Sequence, residues 1–275
     1  MQFYQELETI LQTASPKEKI RRFGVFYDAY KAQKVIPNQA AKPPVVFSCP
    51  SYAGFITVVQ PKEVPKRTNL TTKKGQISLL HAIAHIEYSA IDLALDICYR
   101  FRQLPKEFYD DWLEVAEDEV RHFLMIEKLL QEVGGYYGCL SVHNSLFEAS
   151  SKTAHALLER LAVVPRYLEA NGLDATPAIL QKLNHLPKST VLEAVQSALE
   201  VILKEEVVHV QKGDKWFRYC CQKENKPVEI YLDIINKYYP LGFSKLKTLN
   251  TQARLKAGFT CSELQSMVQK DVCNG

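Results

Sequence analysis

The chain has 275 residues, 47% of them hydrophobic and 24% charged, with a formal net charge of +3. That length allows a large core, the composition is ordinary for a globular protein, and so small a positive balance does not by itself imply a nucleic-acid partner. The acidic start MQFYQELETILQ does not read as a leader peptide, and no apolar run approaches the ~18 residues that cross a bilayer, so a cytoplasmic protein without a membrane partner is expected.

Residues 1–35 read as one or two short helices, with Ser15 and Pro16 as N-cap and first helical position of the second. Six prolines between residues 36 and 67 forbid a long helix and predict an extended segment. A first long helix is predicted over 73–102, stopped before Pro105. A second covers 106–133 and ends at Gly134 and Gly135. A third covers 146–170, closed by Asn171 and Gly172, with a short helix in 173–188 after Thr176 and Pro177. The fourth covers 190–223 and opens on Thr190 and Glu193, which fit a capping box. The tail reads as two more helices around Pro240, Leu241 and Gly242. Four long periodic segments without a strand-rich section predict an all-α antiparallel four-helix bundle over 72–225. An N-terminal segment, 1–71, and a C-terminal extension, 226–275, flank it. The seven cysteines form no Cys-x-x-Cys pair and read as reduced thiols.

Two of the long helices carry Glu-x-x-His within an apolar stripe. The second presents Trp112, Val115, Glu119, His122, Ile126, Leu129 and Val133 at steps of three and four. The fourth presents Leu192, Val195, Leu199, Ile202, Glu206, His209 and Trp216 in the same way. Glu and His three apart project from one side of a helix, so each pair can grip one ion. A carboxylate and an imidazole on a core face are costly to bury unless something binds them. Two such helices supply half of a dinuclear carboxylate site, and one more acid from each of two other helices completes it.

On the first long helix, Leu80, Ile83, Glu87, Ala90, Ala94 and Ile97 form the stripe, and Glu87 is its one acid. Asp92 and Asp96 lie off it and read as solvated. On the third, Glu159 lies among Lys152, Ala156, Val163 and Arg166, while Glu169 shares a face with Leu158, Ala162 and Pro165. That pattern favours Glu169, with Pro165 as the kink that aims it inward, and leaves Glu159 open. The candidate metal ligands are therefore Glu87, Glu119, His122, Glu169, Glu206 and His209. Four carboxylates and two imidazoles suit two Fe, or Mn and Fe, ions.

The remaining candidates have plainer readings. His85 stands about 200° around the helix from Glu87, so His81 and His85 read as packing or supporting histidines. His143 and His155 read as structural or surface groups. Asp118 and Glu205 are candidates to orient the ligand histidines, and Tyr88 and Tyr219 are weak candidates for redox relays. The basic clusters 62–74 and 245–256 read as solvated faces rather than an RNA surface.

HAIAHIE at 81–87, EDEVRHF at 117–123, VPRYLEANGLDATP at 164–177 and EEVVHV at 205–210 resemble an uncharacterised bacterial ferritin-like family. PKRTNL at 65–70 and NTQARLKAGF at 250–259 extend the resemblance over most of the chain. RLAVVPRYLEA is also similar to the third-helix segment of the tRNA-modifying non-haem diiron hydroxylases, in which the Glu of such a motif binds iron. Asn171 stands where that likeness has arginine, which touches no ligand. The resemblance implies a ferritin-like bundle with a diiron or mixed-metal centre, and it supports Glu169 over Glu159. The expected function is an O2-dependent oxygenase or hydroxylase acting on a modified nucleoside or small metabolite, with an unidentified electron donor. The alternative is a metal-binding or peroxide-detoxifying protein without an organic substrate. The terminal extensions read as a roof over a substrate pocket or as a homodimer surface.

Overall fold

A computed structural model describes residues 1–37, 42–240, 242–243, 249–268 and 272–273. Among them the structure is helical, with no strand and one isolated parallel bridge between Val58 and Val142. The helices are α1 (Phe3–Gln12), α2 (Pro16–Lys31), α3 (Lys73–Arg100), α4 (Lys106–Glu132), α5 (Ser145–Lys152), α6 (Leu157–Val163), α7 (Ala170–Asn184), α8 (Thr190–Lys223), α9 (Ile230–Tyr238), α10 (Thr251–Lys256) and α11 (Cys261–Val268). A π-helical turn, Val164–Glu169, joins α6 to α7. The chain forms two compact units, Met1–Ser151 with Leu186–Ala198, and Lys152–His185 with Leu199–Gly275.

The first unit is built on the α3–α4 hairpin. Its antiparallel register follows from the contacts along it. Tyr109 Oη donates to the Phe101 carbonyl near the turn, and the rings of Tyr88 and Phe123 sit 5.2 Å apart midway. The Lys73 side chain closes on Gly134 at the far end. Gly134 stops α4 with φ +80°, a conformation that suits a residue without Cβ. Ser15 caps α2 through the Glu18 N–H, with Pro16 first in the helix, as its sequence predicts. Asp92 and Asp96, expected in solvent, are held inside the unit. Lys19, fully buried, pairs with Asp92. Asp96 pairs with Arg100 at 2.8 Å and accepts from Ser150 at 3.2 Å. Lys19 lies 73 positions from Asp92, out of reach of any local pattern.

In the second unit the long third helix expected over 146–170 is broken. Residues 153–156 interrupt it after α5, and it then passes through the π turn at Pro165. Proline cannot donate to the preceding turn, and its ring crowds the carbonyl four residues back, so the register widens there. The helix also runs through Asn171 and Gly172, where a stop was expected, because Gly172 does not adopt positive φ. Pro177 lies inside α7 rather than opening a separate helix. Arg166 anchors the tail of this unit. Its buried guanidinium stacks on Phe217, Tyr231 and Phe259 at 4.4–4.6 Å. It pairs with Asp214 at 2.9 Å and Glu263 at 2.7 Å. Arg254 ties α10 to α7 through Asp174 at 2.6 Å. Among the described residues the tail holds three short helices where two were expected, and Leu241 in the expected turn lies outside the described residues. Cys261 and Cys273 are joined as a disulfide, against the reading of all thiols as reduced. The other five cysteines are free.

Candidate metal centre

Glu87 on α3 and Glu119 and His122 on α4 meet in the interior of the first unit. Each sits on its helix's apolar stripe, so packing that buries Leu80, Ile83, Ile126 and Leu129 also carries these three inward. Glu119 and His122 are fully buried and Glu87 is 5% exposed. His122 Nδ1 lies 3.3 Å from Glu87 Oε2 and 3.4 Å from Glu119 Oε2. One donor atom from each of the three falls within 4.8 Å of the others. Burial works to lower the His122 pKa, but the hydrogen bonds and charges of Glu119 and Glu87 overcome it and hold the ring at about 11. The two acids thus favour a proton on the ring, and a metal ion that binds the ring nitrogen has to displace it. Oxygen and imidazole donors converging from two rigid helices fit a divalent cation of the Fe or Mn type.

The second unit carries the other three candidates. His209 on α8 is fully buried, and its Nδ1 is 3.6 Å from Glu206 Oε1. Glu169 is the last residue of the π turn and is half-buried. Glu159, the competing acid, is drawn into a surface network. Its carboxylate meets Lys237 Nζ at 2.8 Å, His155 Nε2 at 3.1 Å and the Tyr238 hydroxyl. Burial opposes ionisation of Glu159, yet the hydrogen bonds from Lys237 and Tyr238 leave its pKa lowered. A feature that sequence reasoning passed over is Gly213, one turn beyond His209 on the same face of α8. A Cβ there would lie 2.3 Å from Pro165 Cβ, so the backbones of α8 and the π turn approach closely at this point. The stripe on α8 steps by seven from His209 to Trp216, and the position it skips is this glycine.

The supporting histidines are accounted for. His81 Nε2 accepts the Gly138 N–H at 3.0 Å and the Leu140 N–H at 3.4 Å. His85 faces the Tyr137 hydroxyl at 3.0 Å and the His143 carbonyl at 2.9 Å. Burial lowers both rings to a pKa of about 4, so they are neutral braces of the loop after α4. Asp118 pairs with Arg121 on the outside of α4.

Comparison with known proteins gives a family without an activity. The family described as "Protein of unknown function (DUF455)" matches residues 12–265. An "Uncharacterized protein" of Haemophilus influenzae is 37% identical over 273 residues, covering 96% of this chain and 92% of its own length. No solved structure matches the chain. With nearly its whole length covered on both counts, the chain belongs to the DUF455 family.

Proposed function

We propose that the protein is a dinuclear iron-class carboxylate enzyme of ferritin-like architecture that oxidises an organic substrate with O2. Glu87, Glu119 and His122 would hold one side of the centre and Glu169, Glu206 and His209 the other, with two Fe (or Mn and Fe) ions as cofactor. The observation that carries the reading is the buried Glu87–His122–Glu119 triad. A fully buried second Glu-x-x-His histidine on a second helix supports it. So does the contact of Gly213 with Pro165. The chain between α7 and α8 is short, and short connections make antiparallel neighbours. In such a pair Glu169, one turn after Pro165, would stand level with His209, one turn before Gly213.

Iron held by such donors supplies the oxidising chemistry that no side chain can perform. The residues of this chain contribute the rest. Carboxylates on two rigid helices fix the donor positions before any ion arrives, and Ile83, Ile126 and Phe123 keep water from the buried face. The substrate class proposed is a modified nucleoside or small metabolite, with an external electron donor.

Anaerobic loading with ferrous or manganous ion followed by elemental analysis tests the reading. About two ions per chain are expected, and none in the Glu119→Ala, Glu206→Ala double variant. A loaded wild-type protein without bound metal would overturn it. Faster consumption of hydrogen peroxide than of O2 by the loaded protein would assign peroxide detoxification instead.

A further inference from the structure

On the side of α3 turned away from Glu87, the proline-rich segment before the helix and the loop after α4 enclose a cleft of about 390 Å³. That volume falls in the range of small-ligand sites. Its floor is the α3 face of Ser78, His81, Ala82 and His85. Three of these are polar and buried: Ser78 at 6%, His81 at 2% and His85 at 5% exposure. The walls are Val64–Thr68 on one side and Leu140–His143 on the other.

The lining has one sign of charge. Lys66 and Arg67 are its charged residues, and no Asp or Glu lines it. Neither cation makes an ion pair or hydrogen bond with a described residue. Thr68, Ser78 and Ser141 add hydroxyl donors. His143 Nδ1 accepts the Ser145 N–H at 3.3 Å, so the neutral ring carries its proton on Nε2 and adds a further donor. The wall bearing Ser141 and His143 is fixed in place. His81 accepts the Leu140 N–H, His85 meets the His143 carbonyl, and Val142 is bridged to residues 57–59 by hydrogen bonds of 2.8 and 3.0 Å. Such a preformed wall spares a ligand the cost of ordering it.

We propose that this cleft binds a small organic phosphate monoester. The phosphoryl oxygens accept from Arg67, Lys66, Ser141 and His143 Nε2–H, and the organic body lies against Val64, Pro65, Ile86 and Leu140. Two adjacent cations and several single donors match the three oxygens and double charge of a phosphate better than the two oxygens of a carboxylate. The assignment does not depend on metal binding at Glu87, which lies on the opposite face of α3.

Titration calorimetry of the full chain with phenyl phosphate tests it, with benzoate as the carboxylate comparison. Saturable binding of one phenyl phosphate is expected, weakened about tenfold or more by Arg67→Gln and again by Lys66→Gln. Both residues are exposed and outside any helix, so the fold is retained, and circular dichroism checks that. Ala82→Leu, which fills the floor, is expected to abolish binding in the folded protein. Absence of saturable binding to wild type would overturn the proposal, as would equal affinity in Arg67→Gln. Benzoate binding as tightly as phenyl phosphate would overturn the phosphate assignment.

Discussion

His122 Nδ1 stands 3.3 Å from Glu87 Oε2 on the neighbouring helix, and both are buried. Two helices have therefore brought a base and an acid to the same height in the interior, with Glu119 beside them. A cation that binds this set stabilises the folded state only, because the unfolded chain does not assemble it. At a hundredfold excess over Kd one ion adds about 2.7 kcal/mol. Ferrous or manganous ion is expected to raise the melting temperature of the wild type, and chelation to reverse it. Glu87→Ala is expected to lose the ion-dependent shift, read by differential scanning calorimetry with and without metal.

Acid should weaken the protein through His81. The unfolded chain protonates this ring near pH 6.5, whereas the folded chain does so only near 4 because burial disfavours the charge. The folded state binds fewer protons between those values, so stability is full above the window and falls as pH drops through it. The slope is about 1.4 kcal/mol per pH unit. In His81→Gln, urea unfolding at pH 7 and pH 5 should show a smaller difference than in wild type. An unchanged difference would mean that His81 is not held neutral.

Arg166 and Arg218 share the acids Asp214 and Glu263 but differ in exposure, Arg218 being 33% exposed and Arg166 fully buried. Removing the buried member leaves desolvated carboxylates and strips a guanidinium from three aromatic faces. Arg166→Met is expected to cost about 3 kcal/mol or more, and Arg218→Gln about 1 kcal/mol or less. Chemical denaturation of the two variants measures the contrast.

Two glycines in helices should respond in opposite directions. Gly172 lies inside α7 with nothing within 4 Å of a Cβ, so Gly172→Ala should stabilise by about 0.5–1 kcal/mol. Gly213 meets Pro165, and Gly213→Ala should cost about 1–3 kcal/mol by forcing α8 and the π turn apart. Thermal melts of both variants decide this.

Much of the first unit is legible in the sequence. The three-and-four spacing of apolar residues gives α3 and α4, and the 32 positions between Glu87 and Glu119 suit a hairpin that levels them. Local patterns fail where distant partners decide. Asp92 reads as solvated until Lys19 is brought to it by packing. Asn171 and Gly172 look like a stop, but glycine ends a helix only where the chain turns to positive φ, and here it does not. The cap of α8 also moves by one residue. Ser189 Oγ, not Thr190, accepts the Leu192 N–H at 3.2 Å, since both hydroxyl residues fit the pattern and only the backbone distinguishes them. The cleft on α3 was not legible, because its residues come from three separate stretches that no spacing rule links.

The widened turn at Val164–Glu169 acts as a phase shift in the chain. An α-helix advances about 100° per residue, so one additional residue per turn rotates everything downstream by that angle. The faces of α7 that carry Leu173 and Leu183 into the interior are set by this offset. Excising a single residue from the turn would leave every side chain chemically intact yet swing Asp174 off Arg254 and Glu169 onto another bearing.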